Sequence, residues 1–123
     1  MLRLTLPWPP SVNHYWMRTR HGRPYISARG TVYRGAVILL CRAEMRQQQI
    51  ERMTGRLRVE IIAHPPDRRK RDLDNVLKSL LDSLQHAGVY EDDTQIDDLR
   101  IVRRVRDPKK KGWIEIEVGE HTE

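Results

Sequence analysis

Two aspartates flank a single leucine at Asp72–Leu73–Asp74, and four consecutive cations, Arg68, Arg69, Lys70 and Arg71, run directly into them. Lys78 follows four residues after the second acid and Asp82 four after that. On a helix, residues four apart share one edge, so Asp74, Lys78 and Asp82 would line up beside the leucine stripe. Two readings fit. In the first, Asp72 or Asp74 caps a helix, worth ~1 kcal/mol, behind a solvated basic loop. Asp74, Lys78 and Asp82 are then surface ion pairs worth ~0.3–0.5 kcal/mol each. In the second, the acids hold a divalent cation and the basic residues hold phosphate.

A further acidic run bears on the choice. Residues 79–99 contain no Lys or Arg, yet carry Asp82, Glu91, Asp92, Asp93, Asp97 and Asp98. The run EDDTQIDD at 91–98 starts near the C-terminal end of the helix, and a strand leaving it can return along the helix and bring acids toward the mouth. Converging carboxylates repel and raise at least one pKa. Mg²⁺ removes that conflict, because it takes oxygen ligands, commonly one or two carboxylates with waters and substrate phosphate. It also lowers the pKa of water and neutralises charge developing on a phosphodiester. Lys78 would add a fixed positive charge near the same phosphate.

The wider composition points the same way. Lys and Arg outnumber Asp and Glu by 23 to 17, a net charge of +6. Residues 1–60 hold eleven cations and three acids; residues 61–123 hold twelve and fourteen. A basic chain with one concentrated acidic patch fits a nucleic-acid binder whose acids have a separate task. Arg68–Arg71 are expected on DNA. Arg103, Arg104, Arg106, Lys109, Lys110 and Lys111 form a second basic group, and for Lys109–Lys111 DNA contact and a solvated turn fit equally. Each phosphate neutralised steepens the salt dependence of duplex binding by about 0.9 in log–log slope.

Other classes fall away. A single cysteine, Cys41, rules out an internal disulfide and a cysteine-based zinc site, and the five histidines lack zinc spacing. The longest apolar run, AVILLC at 36–41, falls short of the roughly 20 residues a bilayer span needs. The N-terminus has no continuous apolar segment of a secretory signal. A soluble chain of the cytoplasm, on the nucleoid when bound to DNA, is expected. A length of 123 residues suits one domain, 1–123, with one modest core.

The elements that must position these residues can be read in order. LRLTL at 2–6 alternates as a strand, and PWPPS stops it. Residues 15–19 and 23–27 flank His21–Gly22 as a hairpin. Ser27 is placed to cap a helix over about 28–49, whose first turn Gly30 weakens. On it, Val32, Ala36, Leu39, Leu40 and Ala43 form the expected core stripe. Ile38, Cys41 and Met45 lie opposite, as a second buried face or a dimer contact. Residues 56–64 alternate as a strand with Leu57, Val59 and Ile61 inward. A second helix, about 72–87, buries Val76, Leu77, Leu80, Leu81, Leu84 and Ala87 and ends at Gly88. Residues 97–106 and 113–118 read as a terminal strand pair joined by DPKKKG. The order describes an α/β domain with a mixed sheet and two main helices.

Several of these stretches together resemble the RusA-type Holliday-junction resolvases, small endodeoxyribonucleases common in prophages. The likeness runs from TLPWPPSVNHYW at 5–16 through ISARGTVYR at 26–34 and PPDRRKRDLDNVLKSLLDSLQHAG at 65–88 to DDTQIDDLRIV at 92–102. It implies a RusA-like fold and a homodimer that nicks four-way junctions symmetrically, in recombination and repair, with Mg²⁺ (Mn²⁺ as a substitute) on aspartates. Carried onto this sequence, those ligands are Asp72, Asp74 and Asp93, with Lys78 beside them and Arg71 as an activity-linked base. Asp92 and Glu91 leave open which acid of the second run takes part, and Asp82 is expected to support Lys78. The group His14–Tyr15–Trp16 is a candidate for contact with unstacked bases. Two rivals remain: a non-catalytic protein that binds branched DNA, and a metal nuclease acting on another branched DNA.

Overall fold

The computed structural model describes residues 1–105 and 111–122. Four strands form the main sheet: β1 (Leu2–Pro7), β4 (Leu57–His64), β5 (Ile96–Arg103) and β6 (Trp113–Glu120). A two-stranded ribbon, β2 (Trp16–Arg18) and β3 (Pro24–Ile26), stands apart from it. The helices are α1 (Val12–Tyr15), α2 (Ala28–Gln48) and α3 (Asp74–His86), with a 3₁₀ turn at Asp93–Gln95. The α/β class, the mixed sheet and the two main helices are as the sequence predicts; the four-residue α1 was not foreseen.

Alternation decides which strands sit inside. Leu2, Leu4 and Leu6 of β1, Leu57, Val59, Ile61 and Ala63 of β4, and Ile114, Ile116 and Val118 of β6 are all buried. They face the buried sides of α2 and α3 in one core. The expected pairing of the last two strands does not occur. The sheet order is β1-β6-β4-β5, with β6 antiparallel to both neighbours and β5 parallel to β4. The reason is compositional. The three β-branched residues of β6 need cover on one face, whereas β5 carries Asp97, Asp98 and Arg100 and suits an edge, where charge discourages further pairing.

The two long helices divide the outcome of the sequence reading. Ser27 caps α2 as expected, its side chain accepting from the Gly30 N–H at 2.9 Å. The stripe assignment inverts, however. Tyr33, Val37 and Cys41 are buried, with Ile38 and Met45 packed against the same core. Val32 and Leu39 are 74% and 73% exposed. The burial of Cys41 pushes its thiol up to about 12, so it stays an inert apolar filler. Gly30 also finds its reason: a Cβ there would stand 2.6 Å from the Tyr15 carbonyl oxygen and 2.8 Å from Ile26 Cγ1. The missing side chain lets the first turn of α2 press onto the base of the ribbon.

In α3, Val76, Leu80, Leu84 and the following Ala87 are buried, with Leu77 and Leu81 packed beside them. Each fully buried aliphatic side chain contributes roughly 1.5–3 kcal/mol. Gly88 follows at φ +81, the left-handed conformation that closes a helix without a Cβ penalty. Among the described residues no helix is long and apolar enough to cross a membrane.

Candidate active site

The unit β4–α3–β5 sets the geometry. Both parallel strands end on the side where α3 begins, the arrangement in which α/β sheets bind ligands. The predicted return of the chain along α3 does happen, but what arrives at the mouth is basic. The Arg103 guanidinium, at the end of β5, donates to the Arg71 carbonyl oxygen at 2.6 Å. The acids of 91–98 stay at the far end. Asp93 lies beside the last turn of α3, its backbone N–H donating to Gln85 Oε1 at 3.3 Å. Thirteen residues of helix, roughly 20 Å, lie between that end and Asp74. The structure therefore sets Asp72, Asp74 and Lys78 along the N-terminal end of α3, with Asp72 lining one cavity and Lys78 another, and leaves Asp93 apart. Among the described residues no three acidic, His or Cys side chains gather around one point.

Neither aspartate caps α3. The helix starts at Asp74, Leu73 holds the N-cap position, and no side chain bonds to the free N–H groups. Asp72 and Asp74 are exposed and their carboxylates take part in no hydrogen bond or ion pair with the described residues. Lys78 is equally exposed and unpaired, because Asp82, its expected support, faces elsewhere. Two exposed carboxylates at the positive end of a helix dipole, with Lys78 unpaired beside them, are a donor set of the hard-oxygen kind that Mg²⁺ takes.

The basic run divides in two. Arg71 is held: its guanidinium donates to both oxygens of Asp67, at 2.5 and 2.9 Å, and lies 5.7 Å from the centre of the Trp8 ring. Those bonds, with the Arg69 N–H, keep Asp67 well below the usual carboxylate range. Arg68, Arg69 and Lys70 are exposed. Together with Asp72, Trp8 and Arg103 they line an open cavity of about 450 Å³. Lys111 is exposed, while Lys109 and Lys110 lie outside the described residues.

The distal end of α3 is the opposite in character. Asp82 accepts from Arg34 Nη2 at 2.7 Å and from the Tyr15 hydroxyl, and Arg34 Nε donates to that same hydroxyl at 3.1 Å. Burial works against the Arg34 charge, yet its bonds to Asp82 and Tyr15 outweigh that and raise its pKa. Farther along, Gln95 is buried and fully satisfied. Its Oε1 accepts from the N–H groups of Glu91 and Asp92, and its Nε2 donates to the carbonyls of Met53 and Gly55. Asp92 is the N-cap of the 3₁₀ turn, accepting from the Thr94 N–H at 2.9 Å, which lowers its pKa. The Asp93 carboxyl is raised instead, by partial desolvation first and then by Asp92 and Asp82. Nothing local in the sequence announced Gln95 or Arg34; the partner of Arg34 lies 48 residues away.

A mixed α/β domain with two exposed carboxylates at a helix mouth beside a run of exposed cations has the make-up of a protein that works on the phosphodiester backbone of nucleic acid. The model of the family Endodeoxyribonuclease RusA matches residues 7–119. A crossover junction endodeoxyribonuclease of Enterobacteria phage HK97 is 48% identical over 115 residues, 93% of this chain and 92% of the relative. Relatives of the same description from Enterobacteria phage 82 and Escherichia coli strain K12 are 44% and 43% identical over 100 residues, 81% of this chain and 80% of each relative. The chain belongs to the RusA family of endodeoxyribonucleases, enzymes that hydrolyse phosphodiester bonds in DNA.

Proposed function

We propose that this protein is a Mg²⁺-dependent resolvase of Holliday junctions, acting as a homodimer that makes paired, symmetric nicks in recombination and repair. The observation that carries the reading is the Asp72–Asp74 pair, exposed and without protein partners at the mouth of α3, beside Arg68, Arg69 and Lys70. Asp72 and Asp74 would hold the cation, with Mn²⁺ as a substitute. When bound, the metal supplies charge neutralisation at the phosphodiester and a lowered pKa for water. Lys78, one turn into the helix, steadies negative charge on the phosphate, and the exposed cations hold the flanking backbone.

The position of Asp93 favours the dimer. It stands at the wrong end of α3 to join the pair in its own chain, so a second copy is what would bring an Asp93 to each mouth. A two-fold assembly also sets two sites against opposite strands of the junction. The exposed apolar pole of α2, Val32 and Leu39 with Ala36 and Ala43, is the surface we assign to that contact. It continues past Val32 and Ala36 into an apolar groove lined by Pro7, Trp8, Pro9 and Pro10, and Trp8 borders the acid mouth on its other side.

The test is a synthetic four-way junction. Wild type should nick it with Mg²⁺ and run at a hydrodynamic mass near twice 14.6 kDa. Asp72→Asn should bind it in EDTA and fail to nick. Tight binding by wild type with no nicking in Mg²⁺ or Mn²⁺ would leave a binding protein in its place. Equal cutting of linear duplex would keep the nuclease and discard the junction.

A further inference from the structure

A second cavity, about 310 Å³, lies between α1, the β2–β3 ribbon and α3, lined by Asn13, Trp16, Met17, Arg18 and Lys78 among others. Lys78 ties it to the acid mouth, since it stands four residues, about one 5.4 Å turn, from Asp74. The other groups are of nucleotide-binding type. Trp16 offers an aromatic face, and it is held in place from behind. Tyr15, fully buried and bonded to Asp82, Ser83 and Arg34, meets it edge-on at 5.4 Å between ring centres. The backbone of the ribbon is fixed by the Ser27 N–H donating to the Tyr15 carbonyl and by the close approach at Gly30. The Trp16 indole N–H is buried with no acceptor among the described residues, a state native interiors seldom leave unfilled. Asn13 is exposed and carries both a donor and an acceptor. No acidic side chain lines the cavity, so nothing in its lining repels a phosphate.

We propose that this cavity receives one unstacked base, that of a nucleotide next to the scissile phosphate. The base stacks on Trp16 and is read along its edge by Asn13, while Lys78 stays with the phosphate. The inference rests on the nuclease reading for the placement of the cut beside Lys78. It makes cleavage depend on a base that has left its stack, which a branch point supplies and an intact duplex does not.

The experiment scans a four-way junction with a single abasic nucleotide placed in turn at each position flanking the cut. Both binding in EDTA and nicking in Mg²⁺ are measured. For wild type, one position should lose about 5- to 150-fold in binding, the range of one base–aromatic stack. Trp16→Ala should bind the intact junction weaker by a similar factor and show no further loss with the abasic site, and Trp16→Phe should restore part of it. If Trp16→Ala does not fold, Asn13→Ala at its exposed position carries the test by flattening preference among the four bases there. An abasic penalty absent at every position overturns the pocket. So does a penalty as large in Trp16→Ala as in wild type, or a base preference untouched by Asn13→Ala. If wild type never nicks but the penalty persists in EDTA and vanishes in Trp16→Ala, the pocket stands and the nuclease reading falls. A wild type that neither nicks nor binds the junction removes both.

Discussion

Both ends of α3 carry aspartates and use them differently. At the C-terminal end, Asp82 is committed to Arg34 and Tyr15, Asp92 to a cap, and Gln95 to four backbone groups. At the N-terminal end, Asp72, Asp74 and Lys78 have no side-chain partner among the described residues. Charges with protein partners hold the fold; charges held in position without partners are left for a ligand. The contrast separates stability from activity residue by residue.

The largest expected effect belongs to the open end. Asp74→Asn should lower Mg²⁺-dependent nicking by at least about a hundredfold. Its unfolding free energy should change by less than about 1 kcal/mol, the worth of an acid in a helix first turn. A junction-nicking time course beside a urea melt checks both. Arg34→Ala should do the reverse. Removing a mostly buried partner of Asp82 and Tyr15 should cost about 2 kcal/mol in the same melt, while nicking per folded molecule holds. A comparable loss of activity without loss of stability would break the division between the two ends.

Smaller effects sharpen it. Lys78→Ala should slow single-turnover nicking about tenfold with little change in junction affinity; equal losses in rate and affinity would make Lys78 a binding residue. The smallest effect concerns Asp93, whose carboxyl is raised in the folded state above its ordinary value of 3.8. A raised acid holds its proton more tightly when folded. Its contribution to stability is therefore present at low pH and lost as pH rises through that window. Wild type should gain on Asp93→Asn as pH falls from 7 to 4, by a fraction of a kcal/mol in paired urea melts. A difference that does not vary with pH would show that folding does not shift the Asp93 carboxyl.

Local signals were the legible ones. Alternation placed β1 and β4, Ser27 placed the start of α2, and Gly88 placed the end of α3, because each depends on neighbours within a turn. The inverted stripe on α2 shows where this stops. Both faces of that helix are apolar, so periodicity alone had no polar side to orient it. The pairing of β6 with β1 and β4 was hidden for a related reason: proximity in sequence favours β5, while burial favours the centre. At the site, the acids and the lysine were legible by type and spacing. Their separation by the length of α3 was not, since it follows from which end of β5 returns to the mouth. Arg34 was invisible because its contacts span three helices.

The position of β6 also bears on when the enzyme becomes competent. One of the two inner strands, β6, follows all the other strands of the sheet in sequence, and it pairs with the first: Leu2 lies opposite Val118. Until it arrives, β1 and β4 have no hydrogen-bonded connection in the sheet. Contacts so distant along the chain form slowly and late. Assembly of the full sheet thus waits for β6, and a chain that already displays Asp72, Asp74 and the arginines on the β4–α3–β5 unit has not yet joined that unit to β1.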